Sequence, residues 1–223
     1  MGENHGRYAM KKISVIIPAY IPNKEQAQGL KTLLHRLVKE KKPHHEIIII
    51  NDGSPYPFSK VSDDDTKLTT IPDGITYLDC VTNKGVAAAR NLGLAVSAKS
   101  DYVAFIDADD SVRSDFWSIL DKYANHEDSA DIYYFKCACE DGSLTYHEPC
   151  AWGKLVKRSY IGDRKFDAKQ LIGEEDTLFL PLAKARPPKV VYAKECIYNY
   201  RYSANPDSLM KRFWRGEIQR RKD

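Results

Sequence analysis

Three carboxylates crowd the end of the stretch DYVAFIDADD, residues 101–110, where Asp107, Asp109 and Asp110 follow an apolar run. Like charges this close raise one another's pKa values unless a cation sits among them. A divalent ion carrying phosphate oxygens suits such a place, because Mg²⁺ and Mn²⁺ prefer oxygen ligands and take only one or two carboxylates from the protein. The same residues can instead make an acidic turn ahead of a helix. Ser111 or Ser114 would then cap the periodic residues Phe116, Ile119, Leu120 and Tyr123. Spacing alone leaves both readings open.

Other residue types invite chemistry elsewhere. Asn51, Asp52, Gly53 and Ser54 follow an apolar run. A carboxylate at the carboxyl end of a strand can reach a nucleotide's base or ribose, although these four residue types also make ordinary turns. Arg90 and Asn91 interrupt a stretch of small and apolar residues. The planar fork of Arg90 suits a phosphate, or it is an exposed arginine paired with a neighbouring acid. Trp152 can stack on a sugar ring or fill a core. In GEEDTLFL, residues 173–180, acids open a helical turn whose unpaired N–H groups and dipole favour negative charge, and Pro181 breaks or kinks any helix there. Near the end, Lys211, Arg212, Phe213, Trp214 and Arg215 mix cations with aromatics. Such a tail suits an anionic membrane surface or a solvated terminal helix.

These side chains need elements to hold them. Residues 13–17 are apolar and β-branched and read as a first strand stopped by Pro18, Ala19 and Tyr20. Leu30, Leu33, Leu34, Leu37 and Val38 keep helical spacing, and residues 45–50 form a second strand, giving a β-α-β unit. Residues 55–74 read as a polar surface loop, 75–80 as a third strand, and 83–98 as a helix entered through Gly85. Residues 102–106 then make a strand covered on both faces, the pattern of a parallel sheet. Residues 132–138 and 190–202 read as later strands. Neither GxGxxG nor GxxxxGK[ST] comes after a strand, which argues against a dinucleotide Rossmann site and a P-loop.

At 223 residues and 43% hydrophobic content the chain can bury one sizeable core. Its net charge of +3 is too small for a nucleic-acid footprint. Five cysteines, an odd number without CxxC pairs, signal neither a disulfide framework nor a zinc site. No apolar run approaches the ~20 residues needed to span a bilayer, and the start MGENHGRYAMKK has no signal-peptide core. Gly6 stands where a myristoylation motif wants serine or threonine. The expectation is a cytoplasmic protein, with the tail available to the inner face of a membrane.

VIIPAY at 15–20, NDGS at 51–54, NKGVAAARNLGL at 83–94 and FIDADD at 105–110 resemble, in order, the successive signatures of family 2 glycosyltransferases, nucleotide-sugar-dependent enzymes of the GT-A fold. The resemblance implies an α/β, Rossmann-like single domain over 1–223 with a mostly parallel central sheet flanked by helices. Residues 12–112 would be the nucleotide-sugar half, 113–205 the acceptor and catalytic-base half, and 206–223 the basic aromatic tail. It implies that Pro18, Ala19 and Tyr20 line the nucleotide pocket and that Asp52 recognises the base, usually uracil. Asn83, Arg90 and Ala108 would belong to the same donor site, with Asp107 near the ribose and Asp109 on a Mn²⁺ or Mg²⁺ ion. The family more often has aspartate where this chain has Asn51.

In the second half, AWGKLVKRSYI at 151–161 resembles the family's tryptophan-containing segment, which gives Trp152 to the acceptor side. GEEDTLFL resembles its Glu-Asp motif, with Asp176 as general base beside Glu175. YNYR at 198–201, with the later Ser208, resembles a closing segment, in which Tyr200, Arg201 and Ser208 approach the diphosphate or order a lid. The implied reaction is transfer, with inversion, from a nucleoside-diphosphate sugar to a hydroxyl of a saccharide or lipid-linked acceptor, as in cell-surface polysaccharide synthesis. Two other classes stay open. One is a nucleotide-sugar-binding protein without catalysis. The other is a nucleotidyltransferase, which would carry a glycine-rich basic loop where this chain reads PAYIPNKEQ, residues 18–26.

Overall fold

The computed structural model describes residues 9–56, 71–169, 187–201 and 208–218. The first strand, β1, is Ile13–Ala19, and all of it is buried. Period-two alternation divides it between two apolar layers: Ile13, Val15, Ile17 and Ala19 enter one, and Ile16 the other. Helix α1, Lys24–Lys39, covers the first layer with Leu30, Leu33, Leu34 and Leu37, and Asn23 caps it by accepting the Gln26 N–H. Strands β2 (His45–Asp52) and β3 (Thr76–Cys80) come next, then helix α2 (Val86–Val96) on the opposite layer and strand β4 (Tyr102–Phe105). These strands lie parallel in the order β3-β2-β1-β4.

The first strand does not stop at Pro18. Ile16 turns its carbonyl toward β4, accepting the Ile106 N–H at 3.1 Å. Pro18, two residues on, therefore aims its missing donor to the same side, where the β4 ladder has ended at the Ile16–Phe105 pair. A proline costs a strand little where no partner asks for its N–H. Helix α2 is shorter than its sequence pattern, because residues 83–85 form the turn into it and Gly85 takes φ 90°. It lies close on β1: a Cβ at Gly93 would overlap the Ile16 side chain.

The same sheet continues through the second half. Beyond β4 it adds β8 (Lys154–Lys157), β6 (Ile132–Ala138), β9 (Val190–Asn199) and β5 (Ser111–Val112), with β7 (Leu144–Thr145) beside β6. Only the β6–β9 pair is parallel among these. Helix α3 (Phe116–Ala124) packs on the α1 side, where the Trp117 indole donates to the Leu37 carbonyl at 2.9 Å. Short helices α4 (Arg158–Ile161) and α5 (Leu209–Trp214) complete the described residues. Neither Ser111 nor Ser114 caps α3. Val112 is fully buried and pairs with Tyr198, so residues 111 and 112 belong to a strand, and Asp115 precedes the helix without a side-chain cap bond.

Candidate functional site

Helix α1 covers one face of the parallel half and α2 the other, so the chain reverses direction across the sheet between β1 and β4. In open α/β sheets the crevice beyond the strand ends at such a reversal is where ligands bind. Here that edge carries Ala19 at the end of β1, Tyr20 just after it, Asp52 at the end of β2 and the acidic turn after β4. Pro18 and Ala19 are buried, and Tyr20 is 47% exposed.

Asp52 is buried and clasps the turn into α2, with one carboxylate oxygen accepting the Lys84 N–H at 2.9 Å and the other the Gly85 N–H at 2.8 Å. The Asn83 side chain accepts from Gly85 as well. Gly53 makes this approach possible: it takes φ 64°, and a Cβ there would strike the backbone of Thr82 and Asn83. Ser54 accepts the Ile21 N–H at 2.8 Å, joining the loop after β1 to the same cradle. Asn51 donates through its amide to Asp79 at 2.7 Å and to the Tyr77 hydroxyl at 3.1 Å. An aspartate at 51 would set a second carboxylate against Asp79, which accounts for an amide at this position.

Arg90 is not exposed. It is buried, its guanidinium donates to Asp107 at 2.9 Å, and it lies over the Phe166 ring at 5.6 Å. The small residues that let α2 lie against the sheet also draw Arg90 into it. The acidic turn closes with Asp110 N–H on the Asp107 carbonyl. Asp107 and Asp109 remain partly exposed, whereas Ala108 and Asp110 are buried. The Asp110 carboxyl accepts from the Tyr198 hydroxyl at 2.7 Å and from the Arg201 N–H at 2.9 Å. Burial first, then the negative charges of Asp107 and Asp109, push Asp110 up to about 8. The crowded trio thus resolves into two carboxylates at the edge and one turned into the fold. Hard oxygen donors of this kind fit Mg²⁺ or Mn²⁺, with Asp109 at the partly exposed tip.

A different group has metal-ligand types in reach, and it lies elsewhere. His44, His45 and Asp121 are, among the described residues, the trio whose ligand atoms all come together. They sit at the amino end of β2, opposite the edge that bears Asp52. His45 Nδ1 accepts the Lys42 N–H, so its Nε2 carries the proton and donates to Asp121 at 2.7 Å. Lys42 Nζ takes the other carboxylate oxygen. A metal on Nε2 would need the opposite tautomer, and the group is therefore a hydrogen-bonded knot.

Trp152 is a core residue. It is 5% exposed, stacked on Tyr198 at 4.7 Å and on Tyr200 at 5.0 Å, with His147 against it. A ring held this way is not presented to a sugar. Arg201 instead reaches the acidic turn, its guanidinium donating to the Asp109 carbonyl at 2.8 Å. Ser208 caps α5 by accepting the Lys211 N–H. Glu175 and Asp176 lie outside the described residues. Tyr198 lies in the YNYR segment and Asp110 in the acidic cluster, but their contact carries no local mark in the sequence, because it is a pairing across about ninety residues. All five cysteines are free thiols.

The sequence pattern of the family described as glycosyl transferase family 2 matches residues 14–174. Glycosyltransferase GlyA of Streptococcus pneumoniae is 26% identical, over 85% of this chain and 30% of its own length. Putative glycosyltransferase EpsH of Bacillus subtilis is also 26% identical, over 82% of this chain and 59% of its own. The chain therefore spans between 30% and 59% of the length of these curated relatives. The structure of S. aureus TarS 1–349 in complex with UDP superposes with TM-score 0.59 at 18% identity, covering 85% of this chain and 60% of TarS 1–349. Its complex with UDP-GlcNAc gives 0.59 at 16%, over 85% and 58%. At such identity the likeness is one of fold.

Proposed function

Because the chain belongs to glycosyl transferase family 2 and has the GT-A fold, we propose that it moves a sugar from a UDP-linked donor to a hydroxyl of a saccharide or lipid-linked acceptor, with inversion. The observation that carries this reading is the meeting, on one sheet edge, of the Asp52–Asn83–Gly85 cradle and the acidic turn after β4. Pro18, Ala19 and Tyr20 with Asp52 take the nucleoside, Asp107 lies by the ribose, and Asp109 holds the divalent ion. Uridine is favoured because TarS, which shares the fold, has been crystallised with UDP and UDP-GlcNAc.

In the reaction Asp176 takes the proton of the acceptor hydroxyl as its oxygen bonds to the anomeric carbon. The bond from that carbon to the diphosphate oxygen breaks on the opposite face, and the electron pair leaves with the nucleoside diphosphate. Asp109 would hold a Mg²⁺ or Mn²⁺ ion, which would supply charge neutralisation for the departing diphosphate. Buried Arg90 fixes the carboxylate of Asp107, so that residue meets the donor in one orientation.

Isothermal titration of UDP with and without Mn²⁺, on the wild-type chain and on Asp109→Ala, tests the donor site. Metal-dependent binding that is lost in the variant is expected; binding indifferent to both metal and substitution would refute the assignment. Asp176→Asn separates transfer from binding. It should still bind UDP with metal while losing transfer, and transfer at the wild-type rate would remove Asp176 from its role.

A further inference from the structure

We propose that Tyr198 is a positioning residue for the metal-binding turn, acting through Asp107 and Asp110 without touching the donor. The inference rests on the donor site proposed above.

The ladder between β4 and β1 is spent once the Ile106 N–H reaches Ile16. The next N–H, that of Asp107, has no strand to meet, and the Tyr198 hydroxyl accepts it at 3.0 Å. The same hydroxyl donates to Asp110 at 2.7 Å. One oxygen thus ties both ends of the turn that carries Asp109. Its own position is over-determined: the Tyr198 ring is fully buried, stacked at 8° on Trp152, and the strand that bears it pairs with Val112 on one side and Cys137 on the other. Two residues beyond the end of that strand, Arg201 adds its N–H to Asp110 and its guanidinium to the Asp109 carbonyl. Every residue of the turn except Ala108 is therefore held from the end of β9, an element of the acceptor half. A carboxylate meets a divalent ion well only when it is fixed in place before the ion arrives, and here the fixing comes from β9.

Tyr198→Phe removes the hydroxyl and keeps the ring on Trp152. Tyr133→Phe is the matched control. It loses a comparable buried hydroxyl contact, to the Ala130 N–H at 2.7 Å, in the core away from the acidic turn. Titration of UDP with and without Mn²⁺ should show metal-dependent affinity falling about fivefold to tenfold in Tyr198→Phe. Metal-free affinity should be unchanged, and Tyr133→Phe should bind as the wild type does. Equal weakening in both variants, or wild-type affinity in Tyr198→Phe, overturns the proposal. If Tyr198→Phe fails to fold, Asp110→Asn tests the tie from its other end. The same selective loss of metal-dependent affinity is expected, and wild-type affinity again overturns it. A wild-type chain that binds UDP no better with Mn²⁺ would instead bring down the donor site itself, and this inference with it.

Discussion

Arg90 and Asp107 settle each other's charge at the point where β4 leaves the sheet. A guanidinium inside the fold is tolerable only with a carboxylate partner, and Asp107 is partly exposed, so the pair bridges core and crevice. Lysine has no planar fork and would meet the same carboxylate as a point charge. Arg90→Lys is therefore expected to cost about 1.5–3 kcal/mol of stability, read as a lower urea midpoint at unchanged slope, and to weaken UDP binding through a looser Asp107. The residue type was visible in the sequence, as was the option of an acidic partner. Its burial was not, because nothing in a helix of small residues says that the arginine faces inward.

Among the elements, β2 and α3 are joined by the knot at His45. The ring is fully buried, stacked on Trp117 at 4.0 Å, and tied to Asp121. Burial lowers the His45 pKa, and its bond to Asp121 only partly offsets this. Asp121 is also held below the usual carboxylate range, since the hydrogen bonds from Lys42, His45 and His44 outweigh the opposing effect of burial. Both shifts act in one direction. Below pH ~6.5 the unfolded chain takes up a proton at His45 that the folded chain refuses, and below ~4 it does so at Asp121, so stability falls as pH falls through each value. Thermal unfolding followed from pH 8 to pH 3 should show the His45 loss first and the onset of the Asp121 loss at the acid end. His45→Phe, which keeps the stacking, should flatten the limb near pH ~6.5. A limb of unchanged steepness would mean that His45 is not the group responsible.

Across the whole molecule, one sheet joins the parallel first strands to the later ones, through the antiparallel contact of β4 with β8. No helix among the described residues is long and apolar enough to cross a membrane. Helix α5 nonetheless exposes Trp214 (63%) and Phe213 (37%) beside Lys211, Arg212 and Arg215. Arg212 and Arg215 pair in part with Glu217, which limits their pull on lipid. Exposed aromatics with cations are suited to an anionic bilayer surface. The chain should co-sediment with vesicles containing phosphatidylglycerol and not with phosphatidylcholine alone, and binding should weaken in high salt and in Trp214→Ala. Equal recovery in the supernatant with both lipids would leave α5 a solvated terminal helix.

The sequence by itself determined the strands of the parallel half, the two helices between them and the order of four motifs along one chain; β5 and β8 were not legible in it. Apolar period and turn residues are local signals, and they were enough to place Asp52 and the acidic turn at strand ends. Only the tertiary structure decided which polar residue meets which. Asn51 against Asp79, Arg90 against Asp107, and Tyr198 against both Asp107 and Asp110 are pairings between separate elements. A repeat of two or of 3.6 residues tells which face of an element is apolar, but not which element lies on it. The proline expected to stop β1, and the alternative in which Ser111 or Ser114 caps α3, were overruled for that reason. Whether a missing donor or an apolar valine matters depends on the strand beside it, and that strand lies far along the chain.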